Sequence, residues 1–289
     1  WSDTGSGHKV EKTVFIECRS SYREDGPEHL KPIGETEYVA EAARESADDP
    51  GKATIAAIVG HVDLTQDPGL VTQALSAHES AGRGLFRGIR HAGPSDDTGS
   101  LRNAGRGLPC PYGRDDFRAG VKLLGDAGYT YDTWHFFHQN ADYLALARAV
   151  PETTMILDHF GTPLGAGAYA GKQDEIYPRW QADIAEIARC ENVVAKLGGM
   201  AMPDNGFGWD TRETPPSSDE FVAAQQKYYL HTIECFGPER CMFESNFPVD
   251  RLSISYHVLW NALKKIVSDF SDDEKDAMFY GTAARVYRI

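Results

Sequence analysis

Short apolar runs, each ending in a polar or charged side chain and breaking into a loop, recur along this chain at 13–17, 53–61, 85–91, 130–138, 153–159, 192–196 and 240–246. Runs of this length, bounded by turn-forming residues, predict strands. Stretches at 116–126, 141–150, 177–190 and 220–236 lie between them and are long enough for helices. Strand and helix in alternation call for a parallel sheet covered by helices, the α/β class. If that sheet closes into a (β/α) barrel, the strand ends that carry polar side chains open onto one face, where catalysis takes place. The pattern therefore predicts a single barrel domain over residues 1–289 and an enzyme.

Counting strands sharpens the expectation. Seven runs are visible, whereas a barrel of this class closes with eight. The first seven residues, Trp1 to Gly7, are polar and Gly-rich. They read as the tail of a helix or a loop, which implies that one strand and most of one helix precede Trp1. Two connections exceed the usual two to six residues, at 92–114 and 198–216. Both follow strands, so they sit over the mouth either as lids or as irregular solvent-exposed links.

Composition narrows the classes. With 41% hydrophobic and 25% charged residues the chain has the profile of a soluble globule. No apolar stretch approaches the roughly 20 residues of a membrane span. A net charge of −14 opposes nucleic-acid binding, which needs a basic face. Cys18, Cys110, Cys190, Cys235 and Cys241 show no Cys-x-x-Cys pair. That usage, with no leader visible after Trp1, predicts a reduced, cytoplasmic protein. Self-association is left open.

The strand ends carry the chemistry. Met155, Ile156 and Leu157 place His159 at one terminus, and Gly161 permits a sharp exit. Strand alternation from an inward His159 turns Asp158 toward the helices. In 132–138, alternation groups His138 with Asp132 and Trp134 and sends His135 to the other face, so His138 is the candidate for the mouth. Arg90 shares a face with Gly88, while Arg87 and His91 take the opposite one. A guanidinium fork suits a carboxylate, so Arg90 and His91 are candidate contacts for an anionic substrate, against a structural ion pair. Lys196 either adds a cation or is buried against a carboxylate. Tyr22 either lines the site or packs. Asp63, sharing a face with His61, reads as a cap or loop residue, and Ser271 with Glu274 as a capping box.

Taken together, Phe86–Arg90 with His91, Asp158–Gly161, Lys196 to Gly199, Glu244 to Pro248 and the closing Gly281 to Tyr287 make the chain similar to the amidohydrolase superfamily, in its lactonase-like TIM-barrel branch. The resemblance implies a distorted (β/α)8 barrel that hydrolyses a lactone or a related carboxylic ester. It also implies a His-x-His pair on the first strand, which nothing here matches, and an Asp on the eighth strand, where this chain has Asn246.

A neutral amide neither takes a proton from water nor replaces an anionic metal ligand. Three readings follow. Glu244 or Asp250 serves as base, His159 or His138 activates water, or the protein binds a ligand without turning it over. With only His138 and His159 as firm donors no metal ligand is assigned, and zinc stays open for the full-length protein. The mechanism expected is metal-independent: Arg90 and Lys196 anchor a substrate carboxylate, a histidine or carboxylate activates water, and Asn246 donates to the carbonyl oxygen. A zinc-dependent decarboxylase of an aromatic or unsaturated acid and a non-catalytic small-molecule-binding barrel are the alternatives.

Overall fold

The computed structural model describes residues 2–49, 51–101 and 109–289. Seven parallel strands pair strictly in chain order: β1 (Lys12–Ile16), β2 (Thr54–Gly60), β3 (Phe86–Arg90), β4 (Thr130–Thr133), β5 (Met155–Leu157), β6 (Val193–Leu197) and β7 (Cys241–Phe243). The ladder runs from β1 to β7, so the seven strands expected within residues 1–289 form, among the described residues, as one curled parallel sheet with β1 and β7 at its edges.

The helices expected from the sequence all form: α3 (Asp115–Asp126), α4 (Asn140–Ala149), α5 (Gln173–Ala188) and α6 (Ser218–Phe236). They are joined by α1 (Ile33–Ala47), α2 (Pro68–Gly82), α7 (Tyr256–Ile266), α8 (Asp272–Asp276) and α9 (Thr282–Tyr287). Local chemistry fixes the starts. Asp67 accepts from Gly69 N at 2.8 Å ahead of Pro68, and Ser217 with Glu220, like Ser271 with Glu274, forms a capping box. Asp63 is a loop residue: its Oδ1 accepts from the Thr65 amide and hydroxyl.

Two apolar layers follow from strand alternation. Val14, Ile16, Ala57, Val59, Ile156, Val194 and Met242 line the concave face, and Val286 and Tyr287 of α9 pack onto them. Met155, Leu157, Val193, Ala195, Leu197 and Cys241 face the helices. This parity has a consequence at the carboxyl ends. Continuing each inward series by two positions reaches Asp158 after Ile156, Lys196 after Val194 and Glu244 after Met242. Asp158 is therefore an inward residue, contrary to the expectation that it faces the helices.

The runs at 130–138 and 153–159 extend further than their strands do. β4 stops at Thr133 and β5 at Leu157, so period-two reasoning does not reach His135, His138 or His159. The segment 198–216 is packed in its first part and exposed at 210–215: Trp209, buried, stacks on Phe207 at 5.0 Å and on Phe221 of α6 at 5.7 Å. Of the other long connection, residues 102–108 lie outside the described set.

Candidate active site at the carboxyl ends of the strands

His159 would point outward if β5 simply continued. Instead the backbone turns left-handed at His159 (φ 54°), Phe160 (φ 57°) and Gly161 (φ 62°), which brings the ring back inside. There Nδ1 donates to Glu244 Oε1 at 2.6 Å. The Gly198 and Gly199 pair beyond β6 makes room for both. A Cβ at Gly199 would stand 2.2 Å from His159 Nδ1, and one at Gly198 2.4 Å from Glu244 Cγ. Burial works against the charged ring, but the Glu244 carboxylate, by charge and hydrogen bond, and Asp158 outweigh it and hold the His159 pKa above its ordinary value. Glu244 answers with a pKa below its own: burial opposes this, and His159, Lys196 and Arg90 prevail.

Beneath this pair lies an ion network. Lys196, 4% exposed, places Nζ 2.6 Å from Asp132 Oδ1 and 3.0 Å from Asp158 Oδ1. Taking an ammonium out of water costs several kcal/mol, which a single good partner barely offsets. Two carboxylates, with Tyr287 OH donating to Asp132 at 2.7 Å, make the buried charge tolerable. Despite burial, Lys196 is therefore held well above its usual pKa. Asp158 is pushed up to about 6, by burial first and then by Asp132 and Glu244 against the pull of Lys196.

Arg90 closes the network toward β1. Nε donates to Glu17 Oε1 at 3.0 Å, Nη2 to the Glu17 carbonyl, and Nη1 to Asp158 Oδ2 at 3.4 Å. Both candidate substrate-anchoring cations are thus already engaged by carboxylates. On β7's exit, Asn246 adopts φ 51° and its Nδ2 donates to Asp250 Oδ1 at 2.8 Å. Asp250 is fully buried, which pushes its pKa up to about 7, and its Oδ2 accepts from Ala201 N.

Of the residues singled out in the sequence, His159, Glu244, Arg90 and Lys196 converge, and Asn246 adjoins them through Asp250, on whose carboxyl the charge of His159 acts. His138 goes elsewhere. It sits in a 3-10 turn, with Nε2 donating to the Ser95 carbonyl at 2.9 Å and its ring stacked on Tyr169, so it ties two mouth loops together. His135, fully buried, bonds Asn140 at 3.0 Å, and burial pushes its pKa down to about 4. His91 accepts from Leu64 N at 3.1 Å and packs on Phe117; burial and then His61 push its pKa down to about 4, leaving it a neutral brace. Tyr22 lies half-buried beyond β1. The sequence gives Glu17, Asp132 and Tyr287 no role in the site and turns Asp158 the wrong way; the inward parity of Ile156 and Val194 is the signal available.

A family model described as amidohydrolase matches residues 31–289. This chain belongs to the amidohydrolase family. An uncharacterised protein of Sinorhizobium fredii is 30% identical over 264 residues, covering 91% of this amidohydrolase and 78% of the relative. An L-fucono-1,5-lactonase of Burkholderia multivorans is 31% identical over 241 residues, covering 82% and 73%. Among solved structures, an amidohydrolase from Burkholderia multivorans with bound HEPES superposes with a TM-score of 0.68 at 26% identity, over 97% of this chain and 98% of the other. The same organism's amidohydrolase with bound zinc gives 0.71 at 24%, over 97% and 99%.

Zinc was left open above, and the donor set bears on it. Among the described residues no three His, Cys, Asp or Glu side chains are grouped to hold a metal ion. His159 Nδ1 and Glu244 Oε1 are bonded to each other, and Asp158 is bonded to Lys196 and Arg90. As arranged here, these residues do not fit a metal. No helix among the described residues is long and apolar enough to cross a membrane.

Proposed function

We propose that this amidohydrolase opens the ring of a lactone with water activated by His159. The observation that carries the reading is the 2.6 Å bond from His159 Nδ1 to Glu244. It fixes the neutral tautomer with the proton on Nδ1 and leaves Nε2 as the base. Water gives its proton to Nε2 as its oxygen attacks the carbonyl carbon. Asn246 Nδ2, which has one N–H left after bonding Asp250, donates to the developing oxyanion. The intermediate collapses as the ring C–O bond breaks, and the departing oxygen takes the proton back from His159. The product is the open hydroxy acid, whose carboxyl group then releases its proton to solvent and leaves a carboxylate. The 31% identity to a fuconolactonase supports a lactone as substrate.

An anionic substrate was expected from Arg90 and Lys196. With both cations paired to Glu17, Asp132 and Asp158, a neutral lactone fits the charge balance better. The test is a panel of neutral sugar lactones and dicarboxylate lactones followed by acid release in a pH-stat. Neutral sugar lactones are expected to be opened, and His159→Asn to lower kcat by about 100-fold or more, the usual worth of a general base. No turnover of any lactone, or an active His159→Asn enzyme, overturns the proposal.

A further inference from the structure

At the exit of β1, three buried polar atoms carry no hydrogen bond: Glu17 Oε2, Tyr22 OH and Glu35 Oε2. Both carboxyl side chains are firmly placed by their other oxygen. Glu17, 5% exposed, receives Arg90 Nε on Oε1, and Glu35, 1% exposed, receives the amides of Cys18 at 3.1 Å and Ser20 at 2.8 Å on its Oε1. Those amides belong to the loop that carries Tyr22, which is bent by left-handed turns at Arg19 (φ 62°) and Ser21 (φ 53°). Burial, then the charges of Glu17 and Glu35, keep the Tyr22 phenol protonated, so both carboxylates lie close enough to act on the phenol. The same Glu17 reaches the catalytic pair in two links, Arg90 to Asp158, next to His159.

A buried polar atom without a partner costs about 1–3 kcal/mol, so three in one place mark where a partner belongs. Its chemistry is constrained. It must donate to two carboxylate oxygens and can accept from a phenol. Hydroxyl groups do both; a substrate carboxylate would meet two like charges and be rejected. We infer that Glu17, Tyr22 and Glu35 form a hydroxyl-recognition subsite that selects polyhydroxylated, uncharged substrates. This rests on the lactonase reading for the reaction but not for the binding.

Glucono-1,5-lactone and δ-valerolactone share a six-membered ring and differ in their hydroxyl groups. The wild-type enzyme is expected to favour glucono-1,5-lactone in kcat/KM. Tyr22→Phe is expected to lower the ratio of the two kcat/KM values by about tenfold, since a site built for hydroxyls discriminates through the partners it leaves unpaired. Glu17→Gln, which keeps an acceptor for Arg90, is the second variant and should lower the ratio likewise. Ratios within twofold of wild type for both variants, in protein with unchanged circular dichroism, overturn the subsite. If wild-type enzyme opens neither lactone, the lactonase reading fails separately. Calorimetric titration with glucono-1,5-lactam then decides the subsite: binding weakened by Tyr22→Phe upholds it, and no binding overturns it.

Discussion

Replacing Glu244 with Gln removes one charge from the His159 pair and almost nothing else. The amide has the shape of the carboxylate and can still accept from Nδ1 across the 2.6 Å contact. A hydrogen bond to a charged group contributes roughly 1.5–3 kcal/mol, and each pKa unit corresponds to about 1.4 kcal/mol. The His159 pKa, raised in the native protein, should therefore fall by about one to two units in Glu244→Gln. Stability follows. A His pKa raised above 6.5 adds stability that is fully present below that value and is lost as pH climbs through the folded pKa. Glu244, lowered from 4.5, contributes above that value and loses its share as pH falls through its folded pKa. The pair thus stabilises most between 4.5 and 6.5, and the variant should be most destabilised there and nearer to wild type at pH 8.5. NMR titration of the His159 Cε1–H resonance measures the first effect, and urea unfolding at pH 5.5 and 8.5 the second. A midpoint that moves by less than about 0.3 unit would refute the claim that Glu244 governs this histidine.

Lys196→Met should cost about 3–5 kcal/mol in urea unfolding, because it leaves Asp132 and Asp158 facing each other without their cation; a loss under 1 kcal/mol would mean that Arg90 and water already compensate them. Gly199→Ala puts a Cβ 2.2 Å from His159 Nδ1 at φ 72°, so kcat should fall at least tenfold, with the His159 resonance displaced; unaltered turnover would show that the glycine is not needed for the ring. Asp250, with its pKa pushed up to about 7 by burial, binds its proton more tightly folded than unfolded, so wild-type stability should decline as pH rises from 3.8 toward 7. Asp250→Asn should flatten that decline, and an identical slope in wild type and variant would remove Asp250 from the account.

The sequence by itself determined the order and type of the elements. Each strand overlaps the run proposed for it, with β1 and β6 each overrunning by one residue, because an apolar run of five to nine residues with turn signals on both sides has few other ways to be buried. The helices at 116–126 and 220–236 shift by no more than two residues, and the second starts at a local signal, the Ser217–Glu220 capping box. Arg90 could be assigned to the concave face from its two-residue spacing to Gly88, whose Cβ would meet Thr130 Oγ1 at 2.1 Å. What the sequence could not supply was the point at which alternation stops. His159 lies two residues past the end of β5, and only a left-handed backbone, given room by Gly198 and Gly199 far along the chain, turns it toward Glu244. The charge state of the site was equally illegible. A one-dimensional reading leaves Arg90 and Lys196 open between substrate contact and ion pair and names no partner; packing brings Glu17, Asp132 and Asp158 from three other strand ends within 3.4 Å of them. Burial then makes those pairings obligatory, because an isolated charge in the interior costs more than any single contact returns.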